Sequence, residues 1–138
     1  MWSEQKHIRV AVLDLYEGQA NQGMRCIREI VHNWSTEKGF DLYYEEFDVR
    51  LQLAVPDTSF DMYISSGGPG SPLETEGSEW EAAYFNWLSS IEQWNNIAPE
   101  GEKKNIFFIC HSFQLACRHF DIGKVWLRKS KQLGILPI

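Results

Sequence analysis

Apolar residues along this chain follow two different periods in turn, and that alternation predicts an α/β fold. Mostly apolar or β-branched runs are expected to be strands, and they lie at residues 8–16, 41–49, 61–65 and 105–109. The first run is apolar almost throughout, which is typical of a strand covered on both faces. The second run is more polar, which favours a position nearer the edge of the sheet.

Between these runs, apolar residues recur at helical spacing. A first helix is predicted between Asn21, a suitable N-cap, and Gly39, a suitable C-terminal cap. Its apolar face consists of Met24, Ile27, Val31 and Trp34. A second helix is predicted over residues 78–95 with a capping box of Ser78 and Glu81. The face expected to pack on the sheet consists of Trp80, Tyr84, Trp87, Ile91 and Trp94.

A third helix, over residues 112–120, completes the alternation of strands and helices. The pattern predicts one domain over residues 1–138, with a doubly wound, mainly parallel sheet of the flavodoxin-like kind. Residues 134–138 begin a further apolar, strand-like run. The domain is therefore expected to be incomplete at its C-terminus.

Charge and cysteine content narrow the possible partners. The formal net charge of −6 argues against nucleic acid or an anionic membrane as a general partner. No stretch approaches the ~18 consecutive apolar residues of a membrane-spanning helix.

Three cysteines (Cys26, Cys110 and Cys117) are an odd number without metal-ligand spacing, which indicates a reduced cytoplasmic setting and no metal site. Cys26 and Cys117 are expected to be core or helix-side residues.

Three polar features follow predicted strands. Glu17 follows the first strand, the glycine-rich segment 67–72 follows the third, and Cys110 follows the fourth. Ligands of doubly wound sheets bind beyond the carboxyl ends of the strands, so these features are expected to converge. The glycine segment is either a tight connection or a set of backbone N–H donors for an oxyanion. It lacks the Lys-Ser/Thr ending of a phosphate-binding loop.

Cys110 is the candidate nucleophile. It stands between the strand at residues 105–109, expected to be buried, and a helix whose N-terminus favours a thiolate. The same position holds the nucleophile in strand–turn–helix hydrolases. The competing interpretation is a small buried hydrophobic residue, which describes most free cysteines.

The four histidines supply no obvious base for this thiol. His7 and His32 are expected to be solvated, and His119 lies near the far end of the helix after the cysteine. His111 is adjacent to Cys110 and would need an unusual local geometry to act on it.

Four segments together resemble the N-terminal part of a triad-type class I glutamine amidotransferase, including the GMP synthase-like members. They are VAVLDLYEGQ with the helix-one run RCIREI, ISSGGPGSPLE, FFICHSFQLA and GKVWLRKSKQLGILPI, which cover nearly the whole chain from residue 8. ISSGGPGSP is the most specific of them, and C-x-S-x-Q is a variant of the family's C-x-G-x-Q.

The resemblance implies that Cys110 attacks the side-chain amide of L-glutamine, forms a glutamyl thioester and releases ammonia. The oxyanion would lie between the backbone N–H groups of Gly68 and His111, with Gly70 in the same loop. Gln114 would help to hold the substrate. Ammonia would pass to a synthetase domain or subunit, and no cofactor is implied.

The chain departs from the family pattern in two ways. Phe108 and Ser112 occupy places where the family has glycine, and Phe108 is bulky enough to reshape the glutamine pocket. The family's His-x-Glu pair, which comes some seventy or more residues after the cysteine, does not occur in these 138 residues. A longer protein is expected to supply it, and the 138-residue chain is expected to be inactive alone.

A second resemblance is to the intracellular-protease and chaperone relatives in the same superfamily. They place a histidine beside the nucleophile and a glutamate after the first strand, positions held here by His111 and Glu17. The glycine segment and Gln114 fit amidotransferases better. A non-catalytic member that uses the scaffold for binding is the third alternative.

Overall fold

The computed structural model describes residues 5–127 and 129, which form one sheet with helices on both faces. The strands are β1 (His7–Asp14), β2 (Asp41–Asp48), β3 (Met62–Ser65) and β4 (Asn105–Phe108). The α-helices are α1 (Gln22–Lys38), α2 (Val49–Gln52), α3 (Glu79–Ile97) and α4 (His111–Phe120), with a 3₁₀ turn at Glu100–Glu102. The run predicted at residues 134–138 lies outside the described residues.

All strand pairs in the sheet are parallel, in the order β2-β1-β3-β4. Val10 of β1, for example, is in register with Tyr44 of β2 and Met62 of β3. This order is that of flavodoxin-like doubly wound folds, so the predicted fold class is confirmed. The edge position predicted for β2 is also confirmed. None of the described helices is both long enough and apolar enough to cross a lipid bilayer.

Two apolar cores cover the faces of the sheet. Alternate residues of β1 point to opposite faces, and Val10 through Leu13 are completely buried. Val10 and Val12 pack with α1 through Met24, Ile27 and Val31. Ala11 and Leu13 pack with α3 through Trp80, Tyr84, Trp87, Leu88 and Ile91, and Leu115 of α4 joins this second core. The central strand is therefore covered on both faces, as its sequence predicted.

The predicted helix caps are largely confirmed. Asn21 Oδ1 accepts a hydrogen bond from the Met24 N–H at 2.7 Å, and Gly39 ends α1 with φ +70°. Ser78 Oγ accepts from the Glu81 N–H at 3.4 Å. The capping box is only half formed, because the Glu81 carboxylate binds Arg118 at 2.8 Å instead of returning to the helix N-terminus.

Three sequence predictions about these elements were wrong. The second strand ends at Asp48 because the Asp48 carboxylate accepts the Leu51 N–H at 3.0 Å and begins α2. The fourth segment is not a buried strand: among the described residues β4 pairs with β3 alone, and Phe107 is 61% exposed. Trp94 was expected on the face of α3 that packs on the sheet. It lies instead at the margin of that face and donates its indole N–H to the Glu102 carbonyl at 3.0 Å.

Candidate functional site

Cys110 lies at the junction of β4 and α4 in an unusual backbone conformation. It has φ +50° and ψ −103°, and its side chain is exposed. Positive φ is uncommon for a residue with a Cβ, and such strain persists only where the surrounding structure imposes it. A sharp strand-to-helix turn of this kind lifts a nucleophilic side chain above the sheet. The exposure of Cys110 contradicts its interpretation as a small buried hydrophobic residue.

A buried hydroxyl ties this turn to the neighbouring strand. Ser112 is completely buried, and its Oγ donates to the Ser65 carbonyl at 2.8 Å while accepting the Ile109 N–H at 2.9 Å. The Ile109 N–H also reaches the Ser65 carbonyl at 3.0 Å. The serine that replaces the family's glycine thus fastens β4 to β3. Phe108 packs, partly buried, against the core on the α3 face.

The glycine segment packs directly beside Cys110. A Cβ added to Gly67 would lie 3.7 Å from the Cys110 Cβ. At Gly68 it would lie 2.5 Å from the Leu15 carbonyl oxygen and 2.8 Å from Arg50 Nη2, where no side chain fits. Only glycine at position 68 therefore lets this backbone approach the end of β1 so closely.

Two backbone N–H groups near the thiol, those of Gly68 and His111, donate to no protein acceptor within residues 5–127 and 129. Gln114 Nε2 lies 3.5 Å from the Cys110 carbonyl, which also accepts the Gln114 backbone N–H at 3.1 Å. Gly70 adopts φ +77° and faces Glu74. The N–H groups of Gly68 and His111 are thus available to a ligand at the carboxyl edge of the sheet.

Arg50 anchors the underside of the glycine segment, a role that no sequence pattern indicated. Its side chain is only 4% exposed. Arg50 Nη2 donates to the Pro69 carbonyl at 3.0 Å, Nη1 lies 3.7 Å from the Glu17 carboxylate, and the guanidinium stacks 4.6 Å from the Trp80 ring centroid. Its Nε has no partner in the described part of the chain. Burial lowers the pKa of Arg50, and Glu17 partly offsets that effect.

The His111 side chain belongs to this arginine cluster. The imidazole is 1% exposed, and Arg50 Nη2 lies 3.5 Å from its Nδ1 and 3.4 Å from its Nε2. Burial and the Arg50 charge lower the pKa of His111 to about 4, although a hydrogen bond with the Gly70 backbone acts in the opposite direction. His111 is therefore neutral over the ordinary pH range, and its ring is held by Arg50.

These contacts concern the protease- or chaperone-like alternative, in which Cys110, His111 and Glu17 would act together. Both His111 and Glu17 contact Arg50, and no described hydrogen bond joins the imidazole to the Cys110 thiol. Glu17 adopts φ +56° and is exposed. The structure brings all three residues to one edge of the sheet, with His111 and Glu17 joined through a guanidinium.

A second arginine fixes the far end of the glycine segment. Arg118 Nη1 donates to the Pro72 carbonyl at 3.1 Å, and Nη2 pairs with Glu81 at 2.8 Å and Glu76 at 3.3 Å. Carbonyls at positions 69 and 72 are thus both held by guanidinium groups. These two contacts fix the conformation of the segment, and with it the direction of its backbone N–H groups.

The remaining cysteines and histidines lie elsewhere. Cys26 is exposed on α1, and Cys117 is half-buried on α4. His7 and His32 are exposed, as predicted. His119 stacks on Phe85 with ring centroids 5.3 Å apart. Cys110 is thus the one cysteine of the three at the carboxyl edge.

Any assignment of function rests on the geometry of the site itself. Within residues 5–127 and 129, no three His, Cys, Asp or Glu side chains come together as a set of metal ligands. No model of a protein family and no curated protein matches the chain. The feature to be explained is an exposed thiol on a strained turn, close to two N–H groups, of Gly68 and His111, that have no acceptor in the described part of the chain.

Proposed function

We propose that this chain carries the nucleophile of a class I glutamine amidotransferase. The observation that carries the proposal is the conformation of Cys110, a non-glycine residue at φ +50° with an exposed thiol beside Gly67. A strained turn with a reactive side chain, next to unpaired N–H donors, is suited to acyl transfer. The substrate class, glutamine, comes from the resemblance of the sequence to that family.

In the proposed reaction, Cys110 Sγ forms a bond to the side-chain carbonyl carbon of L-glutamine. The carbon–nitrogen bond breaks, and the thiol proton leaves with the nitrogen as ammonia. Water then hydrolyses the glutamyl thioester. The N–H groups of Gly68 and His111 support the proposal because neither has an acceptor among the described residues and both belong to segments that flank the thiol. Each oxyanion donor of this kind typically contributes about 10²–10³ in rate.

Further residues have defined roles in the proposal. Gln114 contacts the glutamine substrate from the first turn of α4, where its amide now lies near the Cys110 carbonyl. Gly70 holds the loop in a turn that reaches the His111 ring. The ammonia passes to a synthetase domain or subunit in the cytoplasm, and the reaction needs no cofactor.

The test is covalent labelling of Cys110 by a diazo-ketone analogue of L-glutamine. Labelling needs the nucleophile and its pocket but no complete set of acid–base groups. We expect mass spectrometry to locate the adduct on Cys110, Cys110→Ala to abolish it, and Cys26→Ala to leave it unchanged. Excess L-glutamine should protect the thiol, whereas D-glutamine should not. An adduct that persists in Cys110→Ala, or equal protection by both enantiomers, would refute the assignment.

The Arg50 contacts favour this proposal over the protease- or chaperone-like alternative. That alternative needs His111 and Glu17 to act on the thiol, but both side chains contact a buried guanidinium. A neutral imidazole with a pKa of about 4 is also a weak base. The amidotransferase proposal uses only the backbone N–H of His111, which the arginine leaves unoccupied.

A further inference from the structure

The hydroxyl of Tyr16 lies in a slot between two glycines beside Cys110. A Cβ added to Gly67 would lie 3.2 Å from the Tyr16 Oη and 3.7 Å from the Cys110 Cβ. A Cβ added to Gly23, in the first turn of α1, would overlap the same hydroxyl. The phenol and the nucleophile thus flank one bare face of Gly67, and the end of β1 reaches the site through Tyr16.

This hydroxyl is available as a hydrogen-bond donor. Within residues 5–127 and 129 it has no hydrogen-bond partner, although the Tyr16 ring is partly buried. Burial raises the pKa of Tyr16, and negative charge on Cys110 and Asp14 raises it further. The phenol is therefore protonated at neutral pH. The group can donate to a developing anion without giving up its proton.

We propose that Tyr16 is a further catalytic residue of this site, whose phenol O–H donates a hydrogen bond to the carbonyl oxygen of the acyl group that Cys110 attacks. It would act as a third donor beside the N–H groups of Gly68 and His111. The inference rests on the proposed function for its substrate, but the slot itself is defined by Gly23 and Gly67. No proton leaves the phenol in this role.

The first test is Tyr16→Phe, which keeps the ring and removes the hydroxyl. Rates of modification at Cys110 are measured by mass spectrometry with two reagents that do not depend on glutamine recognition. With p-nitrophenyl acetate, Cys110 Sγ attacks the ester carbonyl carbon and p-nitrophenolate leaves, whereas methyl methanethiosulfonate reacts at sulfur and has no carbonyl. We expect the acetylation rate to fall about tenfold, as for the loss of one hydrogen bond to the charge that develops on the carbonyl oxygen. The thiosulfonate rate should stay within about twofold.

Gly23→Ala provides a second variant, because its methyl group would displace the hydroxyl; its other near contact is Asn21 Oδ1 at 3.3 Å, and no atom of Cys110 is among its nearest neighbours. Gly23 has no positive φ, so alanine suits its helical conformation. We expect the same selective loss with p-nitrophenyl acetate, and little additional loss when the change is made in Tyr16→Phe. Equal rates in wild type and Tyr16→Phe, or equal losses with both reagents, would overturn the proposal.

The diazo-ketone analogue of glutamine separates this inference from the proposed function. If p-nitrophenyl acetate acetylates wild-type Cys110 but the analogue does not label it, glutamine recognition fails while the selective effect of Tyr16→Phe can still be measured. If the analogue labels Cys110 and Tyr16→Phe leaves the rate of acetylation unchanged, the role of Tyr16 fails alone.

Discussion

Gly68→Ala is expected to destabilise the protein and to slow labelling of Cys110 by the glutamine analogue. The added methyl would lie 2.5 Å from the Leu15 carbonyl oxygen and 2.8 Å from Arg50 Nη2. The first contact is with backbone, and the second is with a buried guanidinium, so neither can move cheaply. Overpacking of this kind costs about 3 kcal/mol. We expect the melting temperature to fall by about 10 °C.

The labelling rate should fall at least about tenfold, because the Gly68 N–H moves away from the thiol as the loop shifts. Gly101→Ala is the matched control. Nothing lies within 4 Å of a Cβ at Gly101, and its φ is not positive. That variant should keep its melting temperature and its labelling rate. If thermal denaturation gave the same result for both variants, the close approach of Gly68 to Leu15 and Arg50 would be disproved.

His111 is expected to make the stability of the protein depend on pH in a defined window. The unfolded chain binds a proton at this imidazole below about pH 6.5, whereas the folded chain resists protonation until about pH 4. The stabilisation is therefore fully present above pH 6.5, is lost as the pH falls, and changes no further below about pH 4. The difference corresponds to roughly 3 kcal/mol.

Urea denaturation of wild type and His111→Gln at several pH values measures this contribution, because the carboxylates common to both proteins cancel. The difference between the two free energies of unfolding should be constant down to about pH 6.5. It should then shrink by about 3 kcal/mol as the pH falls to 4. Parallel curves for wild type and His111→Gln would contradict the burial of a neutral imidazole against Arg50.

The fold was predictable because its signals are local. Asn21 and Ser78 begin helices and Gly39 ends one, each through hydrogen bonds to residues about one turn away. Such local signals can be recognised in the sequence itself. The four-residue helix α2 was missed because it is too short to show a period. Phe107 was expected to be buried because an apolar run looks the same at the edge of a sheet as at its centre.

The candidate site was predictable only in part. Cys110 and the glycine segment follow strands, so topology alone brings them to one edge. Arg50 was not predicted, because its burial depends on contacts with Glu17, Pro69 and His111, which come from three other parts of the chain. An arginine is ordinarily solvated, and nothing in the residues next to Arg50 indicates otherwise. Its unpartnered Nε is visible only in the assembled structure.

The backbone conformation of Cys110 sets two requirements of this protein against each other. Holding a residue with a Cβ at φ +50° and ψ −103° costs on the order of 1–3 kcal/mol, which glycine would recover. Variants selected only for tolerance to heat would therefore acquire glycine at position 110 and lose the thiol. Under the proposed function, thermal stability and chemical reactivity compete at this residue, so a gain in melting temperature from glycine there would come with the loss of the proposed nucleophile.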